Sequence, residues 1–351
     1  MDNAVRPLLT LAIPTYNRAS CLDECLAHIC PQVDGIGKDV EILVSDNNSP
    51  DETGGVVDKY ISAGAAIRYV KNEENMGPDR NFLQCFRMAQ GKYLLILGDD
   101  DILLEGSVKK ILGVLEKDDY GVVHLASYGF AGDYRREMPL ARFGGHEVYD
   151  DVKKFTAKAH YFLTFTSSNV VNRLLVDESI GLDGFCGTNL VQLGWTFSAM
   201  LRAKKNAVVK EYLLAARLYN SGGYGICEIF GRNLNRIART FMDGGADEKC
   251  FDIINKKLLS GFFPANIARA RMGVISARND CPKTLYPLYR GYLRFWLFTV
   301  PAMVLPRRAA WFLYSLAMRS RTYARLIKSF FAGLSGRKPF PGGKPGGGRR
   351  L

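Results

Sequence analysis

The chain has 351 residues, 47% of them hydrophobic and 23% charged, so it is long and apolar enough for one large domain with an appendage, or for two domains. The net charge of +12 is unevenly distributed, because residues 1–201 carry 19 basic and 28 acidic side chains, whereas residues 202–351 carry 28 and 7. This distribution argues against a uniformly basic chain that binds nucleic acid, and the two halves are expected to face different partners. The eight cysteines lack regular spacing, which fits a reducing compartment better than a disulfide framework.

The first third of the chain alternates between strand-like and helix-like patterns. Short, near-continuous apolar runs predict strands covered on both faces at 8–13, 40–45, 67–70, 93–97 and 121–126. The intervening patterns predict helices at about 19–30, 51–63, 79–90 and 106–117. This alternation predicts a mainly parallel, doubly wound α/β sheet, whose strands end at one common edge. The first residues have a short apolar run after Asp2 and are not expected to be a signal peptide.

Polar motifs follow three of the predicted strands: PTYNR the first, SDNNSPDET the second and GDDD the fourth. The fourth motif places Asp99, Asp100 and Asp101 at the end of a buried strand. Repulsion and desolvation oppose this arrangement unless a cation or a cationic substrate group compensates. Carboxylates are the hard oxygen ligands that Mg²⁺ and Mn²⁺ prefer, so the trio is interpreted as a platform for one of these ions. A solvated turn that caps the following helix is the alternative.

Three stretches, IPTYNR, EILVSDNNSPDET and NMGPDRNFLQCFRMAQGKYLLILGDDDIL, together resemble the nucleotide-sugar domain of family 2 glycosyltransferases with the GT-A fold. The similarity is closest to the branch that contains the abequosyltransferases of O-antigen assembly. It covers about residues 8–126 and extends more weakly to about 220. The resemblance implies a nucleoside-diphosphate-sugar donor, a divalent metal, and transfer of a hexosyl or deoxyhexosyl group with inversion at the anomeric carbon.

The carboxylate motif departs from the pattern Leu-Asp-x-Asp-Asp that is usual in this family. Aligned on the trailing Ile-Leu, the chain has Gly98 at the first Asp, Asp100 at the main metal-binding position and Asp101 beside it. Gly98 puts the usual ribose contact in doubt, and Asp99 is the candidate to replace it. Read without that offset, Asp99 and Asp101 form the Asp-x-Asp pair.

The resemblance also implies donor-binding residues in the loops around the trio. Asp46 and Asn47 match the family's acidic pair that reads the base, and Tyr16 is a stacking surface for that base. Arg80 would contact phosphate or brace the aspartates. The full set of expected donor-binding residues is Pro14, Thr15, Tyr16, Asn17, Arg18, Asp46, Asn47, Gly77, Arg80, Asn81 and Asp99.

An inverting displacement needs a general base that takes the proton of the acceptor hydroxyl. Many family members supply it from a Glu-Asp pair, but this chain has Thr188 and Asn189 near that place. Asp183 is therefore the first candidate, with His160 and Asp177 behind it, although structural roles fit all three. The stretch GTNLVQLGW is expected to line the acceptor side through Thr188, Gln192 and Trp195.

The C-terminal part of the chain has a different character. Its apolar stretches at 295–305 and 309–318 are too short to span a bilayer. They are rich in Trp, Phe, Leu and Arg, and no carboxylate side chain follows Asp280, so they are interpreted as interfacial helices on an anionic leaflet. Packing on the catalytic domain is the alternative.

The predicted organisation is a GT-A catalytic domain over 1–204, with a donor half at about 8–126 and an acceptor half at about 127–204. A helical extension over 205–290, amphipathic membrane-associating helices over 291–335 and a disordered basic tail over 336–351 follow.

We therefore expect an inverting, metal-dependent glycosyltransferase that is peripheral on the cytoplasmic face of a bacterial cell membrane. It would pass one sugar to a lipid-linked (polyprenyl diphosphate) saccharide in surface polysaccharide biosynthesis. A nucleotidyltransferase or sugar-phosphate enzyme on a similar sheet is the alternative, although no glycine-rich phosphate loop follows the first strand. A nucleic-acid-binding protein is less favoured, since the basic region has no helix-turn-helix or zinc-finger pattern, and no nucleic acid is expected as a partner. The sequence does not indicate the donor base, the sugar or the oligomeric state.

Overall fold

The structure is a computed structural model that describes residues 6–140, 144–218, 225–274, 281–312 and 314–315. The predicted tail over 336–351, and the part of the predicted amphipathic helices beyond residue 315, lie outside the described residues. Within the described ranges, nine strands form one sheet: β1 (Leu9–Thr15), β2 (Val40–Asp46), β3 (Ile67–Lys71), β4 (Tyr93–Ile96), β5 (Ile102–Leu103), β6 (Val122–Phe130), β7 (His146–Tyr149), β8 (Asn169–Asn172) and β9 (Asn206–Arg217).

The helices of the described ranges alternate with the strands in the first half and follow one another in the second. They are α1 (Ala19–Val33), α2 (Thr53–Ser62), α3 (Pro78–Met88), α4 (Ser107–Leu115), α5 (Val152–Ala159), α6 (Gln192–Arg202), α7 (Leu234–Asp243), α8 (Glu248–Lys257), α9 (Phe263–Arg271), α10 (Cys281–Tyr289) and α11 (Val300–Val304). Wider helical turns precede α7, α9 and α11 at Glu228–Asn233, Leu258–Phe262 and Phe295–Thr299.

The sheet order is β3-β2-β1-β4-β8-β6-β9-β5, with β7 added to β9. The first four strands of that order are parallel, as the alternating pattern predicts, and all seven residues of β1 are buried. In the other half, β8 runs antiparallel to both β4 and β6, whereas β9 is parallel to β6. The predicted α/β class, a mainly parallel sheet with helices on both faces, is confirmed.

Two hydrophobic clusters cover the two faces of this sheet. One packs α1 and α4 against it, with Leu26 and Ile111 fully buried. The other packs α3, α5 and α6 and continues into the later helices, so that Phe155, Phe197 and Phe263 belong to one cluster. The helices after β9 therefore share a core with the sheet.

The predicted helical extension begins later than residue 205. Residues 206–217 form β9, the longest strand, which pairs with β5, β6 and β7. Helical structure in the described residues resumes at 226. Cys227 and Cys281 form a disulfide that the cysteine spacing did not predict, and it joins the helical turn before α7 to the start of α10. Among the described residues, no helix combines the length and the apolar character needed to cross a bilayer.

Candidate active site

The polar motifs that follow β1, β2 and β4 lie together at the carboxyl edge of the parallel strands. Thr15 pairs with Asp46 in the register of β1 and β2, and the Asn47 amide donates to the Thr15 carbonyl at 2.9 Å. The Thr15 hydroxyl donates to Asp99 Oδ2 at 2.8 Å, which joins the β1 end to the turn after β4. The strand ends that were predicted to meet in one crevice are therefore in direct contact.

The three aspartates differ in their surroundings. Asp99 and Asp101 are 4% and 5% exposed, whereas Asp100 is half-buried. Asp101 Oδ2 accepts from the Ser167 hydroxyl at 2.6 Å, and its Oδ1 accepts from the Arg217 amide at 3.0 Å. Protein donors therefore contact both oxygens of Asp101.

Arg18 supplies the cation that the carboxylate trio requires. Its Nη1 lies 2.9 Å from Asp99 Oδ1, and its Nη2 lies 2.7 Å from Asp100 Oδ2. Although burial opposes the charged form, the two carboxylates raise the pKa of Arg18 above its ordinary value. A guanidinium fork suits such a pair of carboxylates, because its donors are fixed in one plane.

The two inner carboxyls titrate near neutrality. Burial, supported by the negative charge of Asp100, raises the pKa of Asp99 to about 6, although Arg18 opposes this shift. Burial raises the pKa of Asp101 to about 7, again with a contribution from Asp100. Desolvation is therefore only partly offset by protein donors, and additional positive charge at this edge would favour the ionised forms.

The donor set fits a hard divalent cation, although in the described part of the chain no three His, Cys, Asp or Glu side chains are grouped to hold one. A Cβ atom at Gly98 would lie 3.0 Å from Asp100 Oδ1 and 3.1 Å from Asp101 Oδ2, so the missing side chain leaves space beside these oxygens. Mg²⁺ commonly takes one or two carboxylates and completes its shell with water and substrate phosphates. Asp100 and Asp101 are the two carboxylates whose oxygens border this space.

The predicted base-reading pair is held by internal hydrogen bonds. Asp46 is fully buried, and its oxygens accept from the Tyr69 hydroxyl at 2.6 Å and from the Ser49 amide at 2.8 Å. The Asn47 side chain donates to Asn75 Oδ1 at 2.8 Å. Its Oδ1 accepts from Asn72 and from the Met76 amide. These two residues therefore fix the loops at the ends of β2 and β3.

The loop after β1 presents an exposed aromatic ring beside the aspartates. Tyr16 is 42% exposed, while its neighbour Thr15 is buried. Asn17 has a φ of 54° and its amide donates to the Ser49 hydroxyl at 2.8 Å. Asn48 has a φ of 66° and lies in the matching loop after β2. Left-handed asparagines in both loops indicate that the backbone is held in an uncommon conformation at this edge.

The motif NMGPDRN forms the start of α3. Gly77 precedes the helix with a φ of 86°, and Pro78 occupies its first turn. Arg80 is exposed at this helix start. Asn81 points inward, where its Oδ1 accepts from the Ser45 hydroxyl at 2.6 Å and its Nδ2 donates to the Ser45 carbonyl at 3.0 Å.

Asp79, within the same motif, has a role that the sequence did not indicate. It is 8% exposed and accepts from the Asn189 amide at 2.8 Å. Burial raises the pKa of Asp79, and the backbone amides of Asn189, Gly187, Val191 and Thr188 oppose the shift. This carboxylate therefore holds the loop over 187–191, in which Asn189 has a φ of 56°.

The predicted acceptor-side residues lie behind the surface. The Thr188 hydroxyl is buried and donates to the Phe185 carbonyl, while Gln192 donates to the Thr164 carbonyl at 2.8 Å. Trp195 is 2% exposed and stacks on Phe86 with ring centroids 5.0 Å apart. All three side chains therefore pack in the interior and are not exposed to an acceptor in this structure.

None of the three candidate bases has a hydrogen bond or ion pair with the trio among the contacts of the described residues. Asp183 is paired with Arg87, and its side chain is 69% exposed. Arg87 lies eight residues after Asp79 on α3, about 12 Å along the helix. Asp177 caps a short helical turn and pairs with Arg202.

His160 has an unusual environment. Its φ is 40° and its Nδ1 is buried without a hydrogen-bond partner. Burial, with smaller effects from Lys257 and His124, lowers the pKa of His160 to about 3. The ring is therefore neutral at physiological pH.

Two further residues complete the carboxylate site. Ser167 donates to Asp101 and accepts from the Gly98 amide at 2.9 Å. Arg217, the last residue of β9, pairs with Glu24 and lies 4.7 Å from the centroid of Phe130. The sequence offered no signal for Ser167. Arg217 was missed because β9 was interpreted as helix.

A protein-family model described as glycosyl transferase family 2 matches residues 10–176. The chain is 41% identical over 102 residues to the abequosyltransferase RfbV of Salmonella typhimurium, which covers 29% of this chain and 30% of that protein. It is 33% identical over 194 residues to a GalNAc(5)-diNAcBac-PP-undecaprenol beta-1,3-glucosyltransferase of Campylobacter jejuni, covering 52% of this chain and 60% of that protein. The matches therefore span about a third to three fifths of these relatives.

Solved structures share the fold at low sequence identity. TarS 1-349 of S. aureus superposes with a TM-score of 0.59 at 16% identity, covering 84% of this chain and 90% of that one. The mannosyltransferase PcManGT of Pyrobaculum calidifontis gives a TM-score of 0.50 at 18% identity, covering 88% and 87%. TarS has been solved with UDP-GlcNAc, and PcManGT with GDP-Man and Mn²⁺. These likenesses support the GT-A fold.

Proposed function

We propose that residues 10–176, which match a family model described as glycosyl transferase family 2, form a glycosyltransferase domain, and that the protein transfers one sugar from a nucleoside-diphosphate-sugar to a lipid-linked saccharide. The observation that carries the proposal is the carboxylate trio held by Arg18 and Thr15 where β1, β2 and β4 end. Ligands of open α/β sheets bind at this edge. The reaction replaces the bond from the anomeric carbon to the diphosphate with one to the acceptor oxygen, and releases a nucleoside diphosphate.

The donor is proposed to lie across the ends of β1 and β2. Tyr16 offers an exposed ring on which a base can stack, next to the loops that Asp46 and Asn47 hold in place. Arg18 and Arg80 are the cationic groups proposed for the diphosphate, since guanidinium groups bind phosphate oxygens through paired hydrogen bonds. The relatives of this fold that were solved with UDP-GlcNAc and GDP-Man support the donor class.

Asp100 and Asp101 are the residues proposed to hold Mg²⁺ or Mn²⁺, with Asp99 kept for the ribose or for Arg18. Such a cation, when bound, would stabilise the negative charge that grows on the departing diphosphate. The protein's own contribution is to keep Asp99 and Asp101 in a buried, hydrogen-bonded frame. Because burial raises the pKa of both groups, added positive charge would favour their ionised forms.

The acceptor hydroxyl must lose its proton during an inverting displacement. We do not assign this role among the predicted candidates. Asp183 is engaged with Arg87, Asp177 is engaged with Arg202, and the pKa of His160 is lowered to about 3. A general base works best with a pKa near the working pH, so His160 would be a weak one.

The names of two relatives support a lipid-linked acceptor and a location at the membrane. One relative is named for a diNAcBac-PP-undecaprenol acceptor, and another for abequosyl transfer. By this likeness, we propose a polyprenyl-diphosphate-linked acceptor, which places the enzyme at the cytoplasmic face of the cell membrane in surface polysaccharide synthesis. The basic second half of the chain is consistent with a phosphate-bearing, membrane-held partner.

The proposal is tested by product analysis. Purified protein is incubated with Mn²⁺, a panel of nucleoside-diphosphate sugars and polyprenyl-diphosphate saccharides. Transfer predicts release of nucleoside diphosphate and a glycolipid heavier by one sugar, and NMR reports the anomeric configuration. Release of pyrophosphate instead would identify a nucleotidyltransferase. If the protein turned over none of the donors in the panel, the proposal would be contradicted.

A further inference from the structure

The helical run over 293–304 presents an apolar face to solvent. The exposed side chains of this run, together with one from the next helical segment, define what we call the C-terminal apolar surface: Leu293 (71% exposed), Trp296 (47%), Leu297 (58%), Phe298 (47%), Val304 (68%) and Phe312 (66%). Leu293, Trp296, Leu297 and Val304 are exposed while Phe295, Thr299 and Ala302 are buried, so the exposed apolar residues lie on one side of the run. Large side chains are rarely grouped in this way on a protein surface without a partner.

The opposite face of the same run is fixed to the body of the protein. Phe295 is 1% exposed, Thr299 is fully buried and Ala302 is 7% exposed. The Thr299 hydroxyl donates to the Leu259 carbonyl at 2.8 Å, and Arg271 donates to the Ala302 carbonyl at 2.7 Å. One side of the helix therefore packs against the core, whereas the apolar residues on the other side are exposed.

The charges on the segment that carries this surface have one sign, although Asp252 of α8 contacts Tyr292 next to it. Arg290, Arg294, Arg307 and Arg308 are exposed on the same segment. After Asp280 the sequence contains 14 basic residues and no carboxylate side chain. A helix that simply faces water normally mixes both signs, whereas an apolar stripe on a segment whose own charges are all cationic matches anionic headgroups above an acyl interior.

We propose that the C-terminal apolar surface docks on an anionic lipid leaflet. Trp296 suits the boundary between headgroups and chains, because its ring is apolar while its Nε1 is already satisfied by the Arg290 carbonyl at 2.8 Å. Each arginine near the lipid should contribute about five-fold to the partition coefficient. Docking itself is independent of glycosyl transfer, but its purpose rests on the proposed function, since a lipid-linked acceptor lies in the same leaflet.

Packed residues connect this surface with the aspartate trio. Thr299 is bonded to the turn over 258–262, and Phe262 in that turn packs on Tyr161 with ring centroids 5.4 Å apart. Tyr161 lies in the helical turn over 160–164, and Ser167, the donor to Asp101, lies in the next turn over 166–168. A leaflet bound at the C-terminal apolar surface would therefore orient the crevice relative to the membrane.

The test is vesicle flotation with phosphatidylcholine alone and with phosphatidylcholine containing 30–50% phosphatidylglycerol, at about 50 and 500 mM salt. Three variants of the full chain are compared with the wild type: Leu293→Ser with Trp296→Ser and Leu297→Ser, Arg290→Gln with Arg294→Gln, and Leu174→Ser. Leu174 is a matched control, since it is 66% exposed on the catalytic domain.

The wild type and Leu174→Ser should float with anionic vesicles at low salt. The triple variant should lose at least ten-fold in partitioning, and the arginine variant should lose its preference for phosphatidylglycerol. The proposal is overturned if the triple variant floats like the wild type, or if the wild type floats with neither kind of vesicle. It is also overturned if light scattering shows a dimer that the triple substitution dissolves, because a second copy then covers the surface.

Donor binding, measured without vesicles, separates this proposal from the proposed function. The triple variant should bind a nucleoside-diphosphate sugar as the wild type does. If neither protein binds any donor while the wild type still floats, the proposed function fails and the docking surface stands. Normal donor binding without flotation would refute the docking surface alone.

Discussion

Replacing Arg18 with glutamine removes the positive charge that lies between Asp99 and Asp100. Two unit charges about 4 Å apart attract by roughly 4 kcal/mol at an effective dielectric constant of about 20. The Arg18 side chain is 33% exposed, so solvent and salt screen part of this attraction. The net expected loss in the free energy of unfolding at pH 8 is about 1–3 kcal/mol, because the variant leaves the buried Asp99 without its cation.

The loss should depend on pH in a defined direction. Burial raises the pKa of Asp99 to about 6, and Arg18 holds it below the value it would otherwise reach. In the variant the pKa of Asp99 in the folded protein is higher still, so the folded protein retains a proton that the unfolded chain releases near pH 4. The stability of the variant therefore falls as the pH rises from about 4 through the folded-state pKa of Asp99. At pH 5 Asp99 is largely protonated in both proteins, and the difference between them should be smaller than at pH 8.

The assay is urea denaturation followed by circular dichroism, in EDTA, at pH 5 and pH 8. Arg87→Gln is the matched control, since its ion pair with Asp183 is exposed and should contribute less than about 1 kcal/mol at either pH. If Arg18→Gln loses no more stability than Arg87→Gln, or loses the same amount at both pH values, Arg18 is not the counterion of the trio.

Three further substitutions test the site residue by residue. Asp100→Asn should lower Mn²⁺-dependent turnover, measured as donor hydrolysis, at least ~100-fold. The free energy of unfolding, measured by denaturation, should change by less than about 1 kcal/mol. Unchanged turnover would reject Asp100 as a metal ligand. Asp79→Asn should lower the free energy of unfolding by about 1–3 kcal/mol, because the backbone amides of the loop over 187–191 lose the carboxylate to which they donate. The same change should raise the KM for the acceptor saccharide more than the KM for the donor. Asp183→Asn should keep kcat within about three-fold, since that carboxylate is engaged with Arg87, whereas a drop of ~100-fold or more would make Asp183 the base after all.

The parallel half of the sheet could be predicted because β1, β2 and β4 are buried on both faces and thus have nearly continuous apolar sequences. Strands β8 and β9 were not predicted. β8 follows a run of hydroxyl-bearing residues, which obscures its short apolar sequence, and Lys210 and Glu211 interrupt the apolar run of β9. Its pairing with three other strands decides its structure, as is usual where tertiary contacts outweigh local preference.

The location of the site could also be predicted, because topology brings strand ends together whatever the side-chain details. The contacts within it could not. The sequence did not indicate that Arg18, one of the expected donor-binding residues, would also pair with Asp99 and Asp100. Asp79 stands between two residues of a recognised motif, and its partners are backbone amides more than a hundred residues away, which have no sequence signature.

The central claim is that the carboxylate edge binds a nucleoside-diphosphate sugar together with a divalent cation. The most direct measurement is titration calorimetry with UDP-, GDP-, CDP- and dTDP-sugars, in Mn²⁺ and in EDTA, on the wild type and on Asp100→Asn. The account predicts that at least one donor binds the wild type in Mn²⁺, with affinity at least ten-fold weaker in EDTA or in Asp100→Asn. Binding that is equally strong in all three conditions, or no binding of any donor, would contradict it.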